Sequence, residues 1–562
     1  MRNRPCARRR LATGAALAVI AALLLSPEAP ADTMATTLVA DHQCAAKDRP
    51  EPGIQGDVPK AEQDANRAYG GYNCGLALVG HTALGAGGRP PTGNANMAWS
   101  GSCAYVSGRG AVFGPPSPGP TEGVAVVDVS NPRQPRHVET LRTPGAKATL
   151  ETLHAVTTKD RAVLVVGQYG NGRGAEGPKP MDIYDVSSCA KPKLLETFYF
   201  PANIHNLTVS GNGRYVFATQ PLQVVDLDPL FDTNPKTKAR YLGNLEESIP
   251  GLYASPAPVA DVDDAVPYDA VSGEARGQTN SRYLSHEAWP NDAGTRLYLG
   301  GQLPTFETIT IVDISEWLER TPDGAPAGDP RIVSQRSGRG HSVRTAKIGE
   351  RRYLLHSEES VIVPGYGCAP EELNPFAGPA EPWLTDITDE RNPVRVAQFG
   401  LAINQVENCG AQAESGTVAS VHYHDVDSRQ DTTFVMASMW NAGLRIFDVR
   451  DPAKPTEVAY FNPADVDPGD DTNLDHAWGH IRYVAKNGHI WFATSAGGFW
   501  VVELEPQLRS HLGLDDGAGA PPVSFPQGRP GTLGAKLAVP TALTIDATPY
   551  YCTLGSAASI AT

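Results

Sequence analysis

Residues 123–132 read Gly-Val-Ala-Val-Val-Asp-Val-Ser-Asn-Pro, and this stretch decides the fold because its core returns six more times along the chain. The core consists of two apolar residues, an acid and a further apolar residue, with a degenerate copy at residues 384–387. Recurrence of one short unit at intervals of this length is the sequence sign of a repeat architecture. The seven acids are Asp128, Asp185, Asp226, Asp313, Asp386, Asp448 and Glu503.

Each copy of the core belongs to a unit with about four short β-type runs. A run such as Tyr215–Ala218 precedes the acid, and a proline-bounded turn such as Asn131-Pro132 leads into the next strand. The acid itself is expected to form the turn where its strand ends. Four strands per unit and seven units predict an all-β protein, a seven-bladed β-propeller, in which the radial arrangement hides the sheet edges.

Two copies, at residues 123–132 and 443–452, resemble the LVIVD-repeat family. The resemblance extends over roughly residues 75–505 and implies a propeller. It implies no particular reaction, because the family is defined by its repeat.

The N-terminal residues predict export. Five arginines precede an uncharged apolar run at Leu11–Leu25, and Ala29-Pro30-Ala31 fits a small-residue cleavage site. Arg8-Arg9 equally suits a twin-arginine (Tat) signal or an arginine-rich Sec signal. We therefore expect a secreted protein. The expected segments are a signal peptide (1–31), a loop-rich segment (32–75), the propeller (76–505) and a C-terminal extension that wraps or closes it (506–562).

Charge and cysteine usage limit the partners. The chain has a net charge of −15 and loses a basic segment on cleavage, so nucleic acid and, after cleavage, the membrane are not expected partners. A small-molecule substrate is expected, and the oligomeric state is left open. Export allows disulfides, and the pairs Cys44–Cys74 and Cys368–Cys409 are predicted because each brackets a loop-rich stretch.

Histidines recur just before the run that precedes the acid. Because the first strand of a blade lies nearest the axis, we expect one ring of imidazoles lining a central channel, with Asn96 holding the place in the first blade. His422 lies two residues before one of them and shares its strand face. The predicted ring comprises His154, His205, His286, His341, His424 and His480, with His422 beside it.

Neutral imidazole is a common ligand of transition metals, so these seven histidines are the candidate metal ligands. Three or four of them can bind one ion. Copper is the favoured metal, followed by iron and zinc. Two alternatives stay open, namely structural histidines and a water-filled channel without metal. Glu287 is expected to be solvated, because it alternates to the strand face opposite His286.

Residues 286–300 and 444–461 are also similar, more remotely, to the selenium-binding protein and methanethiol oxidase family. That resemblance implies a propeller whose histidines bind copper for a thiol oxidation. Carotenoid-cleaving oxygenases share only the geometry of a four-histidine iron on a seven-bladed axis. We carry over the idea of a redox metal held by axial histidines.

The sequence therefore favours a secreted metal-dependent oxidoreductase, a copper or iron oxidase or oxygenase that acts on a small molecule. The residues do not single out a catalytic group. Two alternatives are a non-catalytic propeller that binds a protein or surface polymer through loops 229–280 and 361–381, and a zinc-dependent hydrolase or lyase.

Overall fold

A computed structural model gives the fold, and it describes twelve segments of the chain. The predicted signal peptide and most of the predicted C-terminal extension lie outside them. No helix in the segments described is long and apolar enough to cross a membrane. The segments are 36–84, 93–109, 123–169, 178–232, 237–249, 285–301, 308–337, 340–357, 381–417, 419–464, 475–477 and 479–514.

Seven antiparallel sheets follow one another along the chain, so the predicted seven-bladed propeller is confirmed. We number the blades in the order of their innermost strands. Each of blades 1 to 6 runs from its inner to its outer strand as the chain proceeds. The strands are Gly93–Ser100, Cys103–Arg109, Gly123–Asp128 and Arg136–Leu141 in blade 1; Leu153–Thr157, Ala162–Gly167, Lys179–Asp185 and Lys193–Phe200 in blade 2; Leu207–Val209, Tyr215–Ala218, Gln223–Asp226 and Arg240–Asn244 in blade 3; Glu287–Pro290, Arg296–Gly300, Thr308–Asp313 and Arg331–Ser337 in blade 4; Ser342–Ile348, Arg351–Ser357, Trp383–Asp386 and Val394–Phe399 in blade 5; Tyr423–Val426, Phe434–Ser438, Leu444–Asp448 and Thr456–Asn462 in blade 6; and Arg482–Val484, His489–Thr494 and Gly498–Leu504 in blade 7.

The N-terminal part of the chain completes three blades. Leu76–Thr82 is the outer strand of blade 7, so the ring closes by pairing the two ends of the propeller. Tyr72–Cys74 adds a fifth strand to blade 6, and Thr36–Thr37 adds a parallel fifth strand to blade 5. The segment expected to be loop-rich therefore also covers two sheet edges, which would otherwise expose unpaired backbone groups.

Helices are short and lie between strands or between blades. Ten of them occur in the segments described. The α-helices are Lys60–Asp64, Pro144–Lys147, Leu245–Ser248, Ser315–Leu318, Cys409–Ser415 and Pro506–His511, and the 3₁₀ helices are Ala68–Gly70, Asp228–Phe231, Ala402–Asn404 and Val406–Asn408.

In blades 1 to 6 the repeated acid ends the third strand as predicted. The Oδ1 of Asp128 accepts a hydrogen bond from the backbone N–H two residues later, and Asp313 and Asp448 do the same. This Asx turn releases the chain from the sheet. Just before the acid, the pairing with the fourth strand shifts register by one residue in blades 1 to 6. The acid thus ends the third strand, and the register shift bends the sheet locally and increases its twist.

The hydrophobic core lies between blades. Seven clusters of buried apolar side chains each join two neighbouring blades, and one of them joins blade 7 to blade 1. In that cluster Met97 and Val127 from blade 1 pack with Trp491 and Val501 from blade 7. Since both faces of every sheet are covered in this way, the strands are near-continuous apolar runs and show no clean alternation.

Two disulfides lie in the segments described. Cys44–Cys74 confirms one predicted pair and ties the N-terminal segment to the fifth strand of blade 6. Cys103–Cys189 joins blades 1 and 2 and was not predicted. Cys409 is also disulfide-bonded, and Cys368 lies outside the residues described, so the pair Cys368–Cys409 stays a prediction.

Glu381 is a buried carboxyl that holds the parallel strand in place. Its Oε2 accepts from the Thr36 hydroxyl at 2.6 Å and its Oε1 from Gln405 Nε2 at 2.7 Å. Burial raises the pKa of Glu381 to about 8, although these hydrogen bonds oppose the shift. The folded protein thus retains a proton that the unfolded chain releases at lower pH.

This retained proton makes stability depend on pH. Between the unfolded-state pKa and pH 8 the folded state binds more protons, so the free energy of unfolding should fall as pH rises. Glu381→Gln cannot ionise, and we expect it to be more stable than wild type at pH 8 by about 2 kcal/mol, with little difference at pH 4.5. Urea unfolding at both pH values checks this, and parallel pH profiles in the two proteins would contradict it.

Candidate metal centre

Four histidines occupy one position, directly before the innermost strand or, in blade 3, two residues before it. The backbone N–H of each donates to the carbonyl of a residue at the end of the second strand of the same blade or just after it. These bonds place the four imidazoles at the same register. The pairs are His205 with Thr219, His286 with Gly300, His341 with Ser357, and His422 with Ser438, in blades 3 to 6.

Glu151 holds the corresponding position in blade 2. There the innermost strand begins with Leu153 opposite Val166, and the Gly167 N–H donates to the carbonyl of Thr152. In blade 3 the Thr219 N–H likewise donates to Asn206, the residue after His205. Glu151, the residue before Thr152, therefore has the same register as the four histidines. Five successive blades therefore direct a potential ligand to one region, and the fifth ligand was missed from the sequence.

The ligand atoms lie close to one another. Nε2 of His205 and Nε2 of His286 are 2.6 Å apart. Oε2 of Glu151 is 3.8 Å from His286 Nε2 and 4.0 Å from His205 Nε2, while its Oε1 is 3.8 Å from His422 Nε2. Glu151, His341 and His422 also present ligand atoms within 4.8 Å of one another. Ligand atoms that surround one ion at about 2.1 Å lie roughly 3–4 Å apart, so the distances from Glu151 suit an ion, whereas the separation of His205 Nε2 and His286 Nε2 is that of a hydrogen bond.

Hydrogen bonds orient two of these imidazoles. Nδ1 of His286 lies 3.0 Å from the carbonyl oxygen of His341, and Nδ1 of His341 lies 3.0 Å from that of His422. A carbonyl oxygen only accepts, so each Nδ1 carries the proton and each Nε2 carries the lone pair. Burial and the neighbouring imidazoles lower the pKa of His286 and of His341 well below its ordinary value, which keeps both rings neutral. Orientation by a backbone carbonyl is typical of histidines that bind metals.

Three predicted ligands lie outside this cluster. His154 is the second residue of its strand, and its Nδ1 accepts from the Val209 N–H at 3.1 Å. His424 is two residues past His422, and both its ring nitrogens lack a hydrogen-bond partner among the residues described. His480 lies beside two acidic residues, with its Nδ1 3.3 Å from Asp425 Oδ2 and its Nε2 3.8 Å from Glu287 Oε1. The prediction of one common register for all six histidines differs from the structure because a position before the second strand does not fix the register of the innermost strand.

A buried ionic cluster fills the axis beside the histidines. Arg344 of blade 5 donates from Nη1 to Glu287 Oε2 of blade 4 at 2.7 Å and from Nε to Asp425 Oδ1 of blade 6 at 3.0 Å. Its Nη2 lies 2.7 Å from His480 Nδ1 of blade 7, and its guanidinium lies 3.8 Å from the Trp289 ring centroid. Side chains from four blades thus meet here, and the predicted histidine-lined channel is not confirmed.

Charges in this cluster are mutually stabilised. Burial opposes the charge on Arg344, but Glu287 and Asp425 more than offset it and raise its pKa. Burial would raise the pKa of Asp425, whereas Arg344 and His480 hold it well below its usual range. Glu287 is fully buried and also accepts from the Val343 N–H, so the prediction that it is solvated was wrong.

Aromatic and apolar side chains border the cluster. The Tyr169 ring lies 4.9 Å from that of His205, and the Trp440 ring lies 5.3 Å from that of His422. Trp440 and Leu150 pack with Ala95, with Tyr169 against them. Trp440 has a φ of 44°, a left-handed conformation that is uncommon for a bulky residue and that concentrates at functional sites.

Sequence comparison agrees with the repeat found above. The family model for the LVIVD repeat matches residues 121–143, which contain the first strand-ending acid. The protein carries an LVIVD repeat. The resemblance predicted from residues 123–132 is thereby confirmed, while the remoter resemblance to selenium-binding proteins stays a prediction. No curated protein matches the chain in sequence.

Solved structures with similar folds are distant. An ancestral GH74 enzyme is 9% identical with a TM-score of 0.43, covering 77% of this LVIVD-repeat chain and 48% of its own, so the chain spans about half the length of that enzyme. A functionally unknown protein from Desulfotomaculum acetoxidans DSM 771 is 10% identical with a TM-score of 0.36, covering 66% and 90%. A chain of the mitotic checkpoint complex is 13% identical with a TM-score of 0.38, covering 84% and 98%. These similarities do not bear on the reaction.

Proposed function

We propose that this protein is a secreted metal-dependent oxidoreductase, an oxidase or oxygenase that acts on a small molecule at the propeller axis. The ion is held by His205, His286, His341 and His422, with Glu151 as a fifth ligand or as the carboxylate beside it. The observation that carries the proposal is a pair of three-residue clusters that share Glu151 and draw on five successive blades, with the Nε2 lone pairs of two imidazoles fixed by hydrogen bonds at Nδ1.

The donor set restricts the metal. The donor set around Glu151 is made of neutral imidazoles and one carboxylate, which suit copper, iron and zinc. We favour copper and retain iron as the second choice. When bound, either metal supplies one-electron chemistry with O₂.

The protein's own residues would accept a proton and exclude water at the site. Glu151 is the anionic member of the set, and its carboxylate can accept a proton from a bound substrate. The five ligand side chains are at most 7% exposed, so bulk water is largely excluded from them. Lower water content strengthens every electrostatic interaction at the site.

The border of the site favours an apolar or aromatic substrate. The blades without a described ligand are blades 7 and 1, and Ala95 of blade 1 belongs to the apolar group with Leu150 and Trp440. An apolar surface with a few convergent polar groups is the usual composition of a small-molecule site.

Disulfides support the proposed location outside the cell. Cys44–Cys74 and Cys103–Cys189 are stable in oxidising compartments, and two such bonds are uncommon in a cytosolic protein. The predicted signal peptide agrees with export.

Metal analysis with spectroscopy tests this function. We expect the full-length mature protein to purify with about one copper or iron ion per chain, with a visible or electron paramagnetic resonance signal. It should consume O₂ when small aromatic or thiol compounds are supplied. Protein that takes up no metal from added Cu²⁺, Fe²⁺ or Zn²⁺ would refute the proposal and leave a non-catalytic binding propeller.

Replacement of Glu151 tests the role of the carboxylate. Glu151→Gln keeps the shape but removes the charge, so we expect metal affinity to fall about 10–100-fold and O₂ consumption to be lost even at saturating metal. Glu381→Gln is the matched control, since it removes a buried carboxyl on the outer part of blade 5 and should leave both properties unchanged. Unaltered affinity and turnover in Glu151→Gln would exclude this carboxylate from the site.

A zinc-dependent hydrolase or lyase is the second candidate. The proximity of Glu151 to the histidines favours it, because a carboxylate beside a zinc-bound water can act as a general base. Stoichiometric zinc, the absence of a visible band and no O₂ uptake would select this candidate over the first.

A further inference from the structure

The innermost strand of blade 6 begins with a buried tyrosine whose hydroxyl group reaches the candidate metal centre. The Oη of Tyr423 lies 2.9 Å from Oε2 of Glu151 and 2.9 Å from Nδ2 of Asn206. Asn206 follows His205 in sequence, as Tyr423 follows His422. The hydrogen bonds therefore run from Asn206, beside one candidate ligand, through Tyr423 to the carboxylate of Glu151. None of the proposed chemistry above uses it.

The direction of these hydrogen bonds follows from the groups involved. The Asn206 amide N–H₂ can only donate, so the phenolic oxygen accepts from it. The single proton of Tyr423 is then directed at the carboxylate of Glu151.

Packing fixes the position of the hydroxyl. The Tyr423 ring lies 4.2 Å from the His480 ring and 4.7 Å from the His422 ring, with His341 at 5.5 Å. The side chain is fully buried. Close packing of this kind restricts the ring and so fixes where its hydroxyl points.

We propose that Tyr423 is a positioning residue that fixes the Glu151 carboxylate, so that Oε1 faces His422 while Oε2 is held by the Tyr423 hydroxyl. This inference rests on the proposed function and assigns a residue that the ligand set alone does not reveal. A hydrogen bond to a ligating or neighbouring carboxylate orients it and tunes the metal, and its loss typically weakens metal binding 10–100-fold.

The test uses Cu²⁺ binding to the full-length mature protein, measured by chelator competition and by the paramagnetic resonance spectrum of the Cu²⁺ form. Tyr423→Phe keeps the ring and removes only the hydroxyl. We expect its Kd for Cu²⁺ to rise about tenfold or more and its spectrum to change. Tyr105→Phe is the matched control, because Tyr105 is equally buried and its hydroxyl donates to the Cys189 carbonyl, away from the site.

A second background separates positioning from general damage. If Tyr423 acts through Glu151, then adding Tyr423→Phe to Glu151→Ala should change the Kd less than about twofold. An equal loss of affinity in both backgrounds, or a wild-type Kd and spectrum in Tyr423→Phe, would overturn the inference while the metal site stands. Wild-type protein that binds no Cu²⁺ would overturn the site and this inference together.

Discussion

Replacing His286 and His341 together with alanine is expected to abolish metal binding and activity while the propeller remains folded. These two imidazoles have the best-defined tautomers in the cluster, because each Nδ1 donates to the next blade's carbonyl. Without them, two of the five candidate ligands are lost, and we expect no stoichiometric metal to remain bound. The fold should survive, since the seven inter-blade clusters do not include either side chain.

Thermal melting with and without metal measures this effect directly. A ligand that binds only the folded state raises its stability, so added metal should raise the Tm of the wild type and leave that of the double variant unchanged. His356→Ala is the matched control. His356 is equally buried but bonds to Thr385 within its own blade, and its loss should leave metal content intact. A double variant that retains stoichiometric metal would contradict the assigned ligands.

Replacing Arg344 with methionine is expected to destabilise the protein by about 3–5 kcal/mol. Methionine matches the length of the side chain but leaves Glu287 and Asp425 buried without their shared cation. The contact between the guanidinium and the Trp289 ring is lost as well. Because Arg344 links blades 4, 6 and 7 to its own, the loss should appear as a lower midpoint for unfolding of the whole propeller.

Urea unfolding measures this effect against a surface arginine. Arg331 pairs with Asp313 at 2.9 Å, but its side chain is 67% exposed. An exposed ion pair contributes little, so Arg331→Met should cost less than about 1 kcal/mol. If the two variants lose similar free energies of unfolding, the buried cluster contributes no more to stability than a surface ion pair.

The repeated acid was sufficient to predict the fold. Each copy marks a third strand, and the number of copies gave the number of blades. The pairing that closes the ring could not be predicted in the same way. Leu76–Thr82 pairs with Gly498–Leu504 across more than four hundred residues, and the sequence of neither strand indicates which strand it pairs with.

The candidate site was predicted in part. Four of the seven proposed histidines converge, and Glu151 joins them. The register of the innermost strand is set by its pairing with the second strand, and the sequence shows only that each histidine lies before that second strand. His154, His424 and His480 were therefore placed in the ring although their registers differ.

Glu151 had a usable signal that was overlooked. Gly167 ends the second strand of blade 2, as Gly300 and Ser357 end theirs in blades 4 and 5. Pairing back from Gly167 leads to Thr152 and then to Glu151. The ionic cluster around Arg344 had no comparable signal, because its members meet only when four blades surround one axis.

The measurement that tests the central claim most directly is a crystal structure of the mature protein with anomalous scattering recorded at the copper, iron and zinc absorption edges. We predict one anomalous peak on the axis, about 2.0–2.2 Å from Nε2 of at least three of His205, His286, His341 and His422. Imidazoles that point away from a common centre in metal-soaked crystals, with no peak among them, would contradict the account.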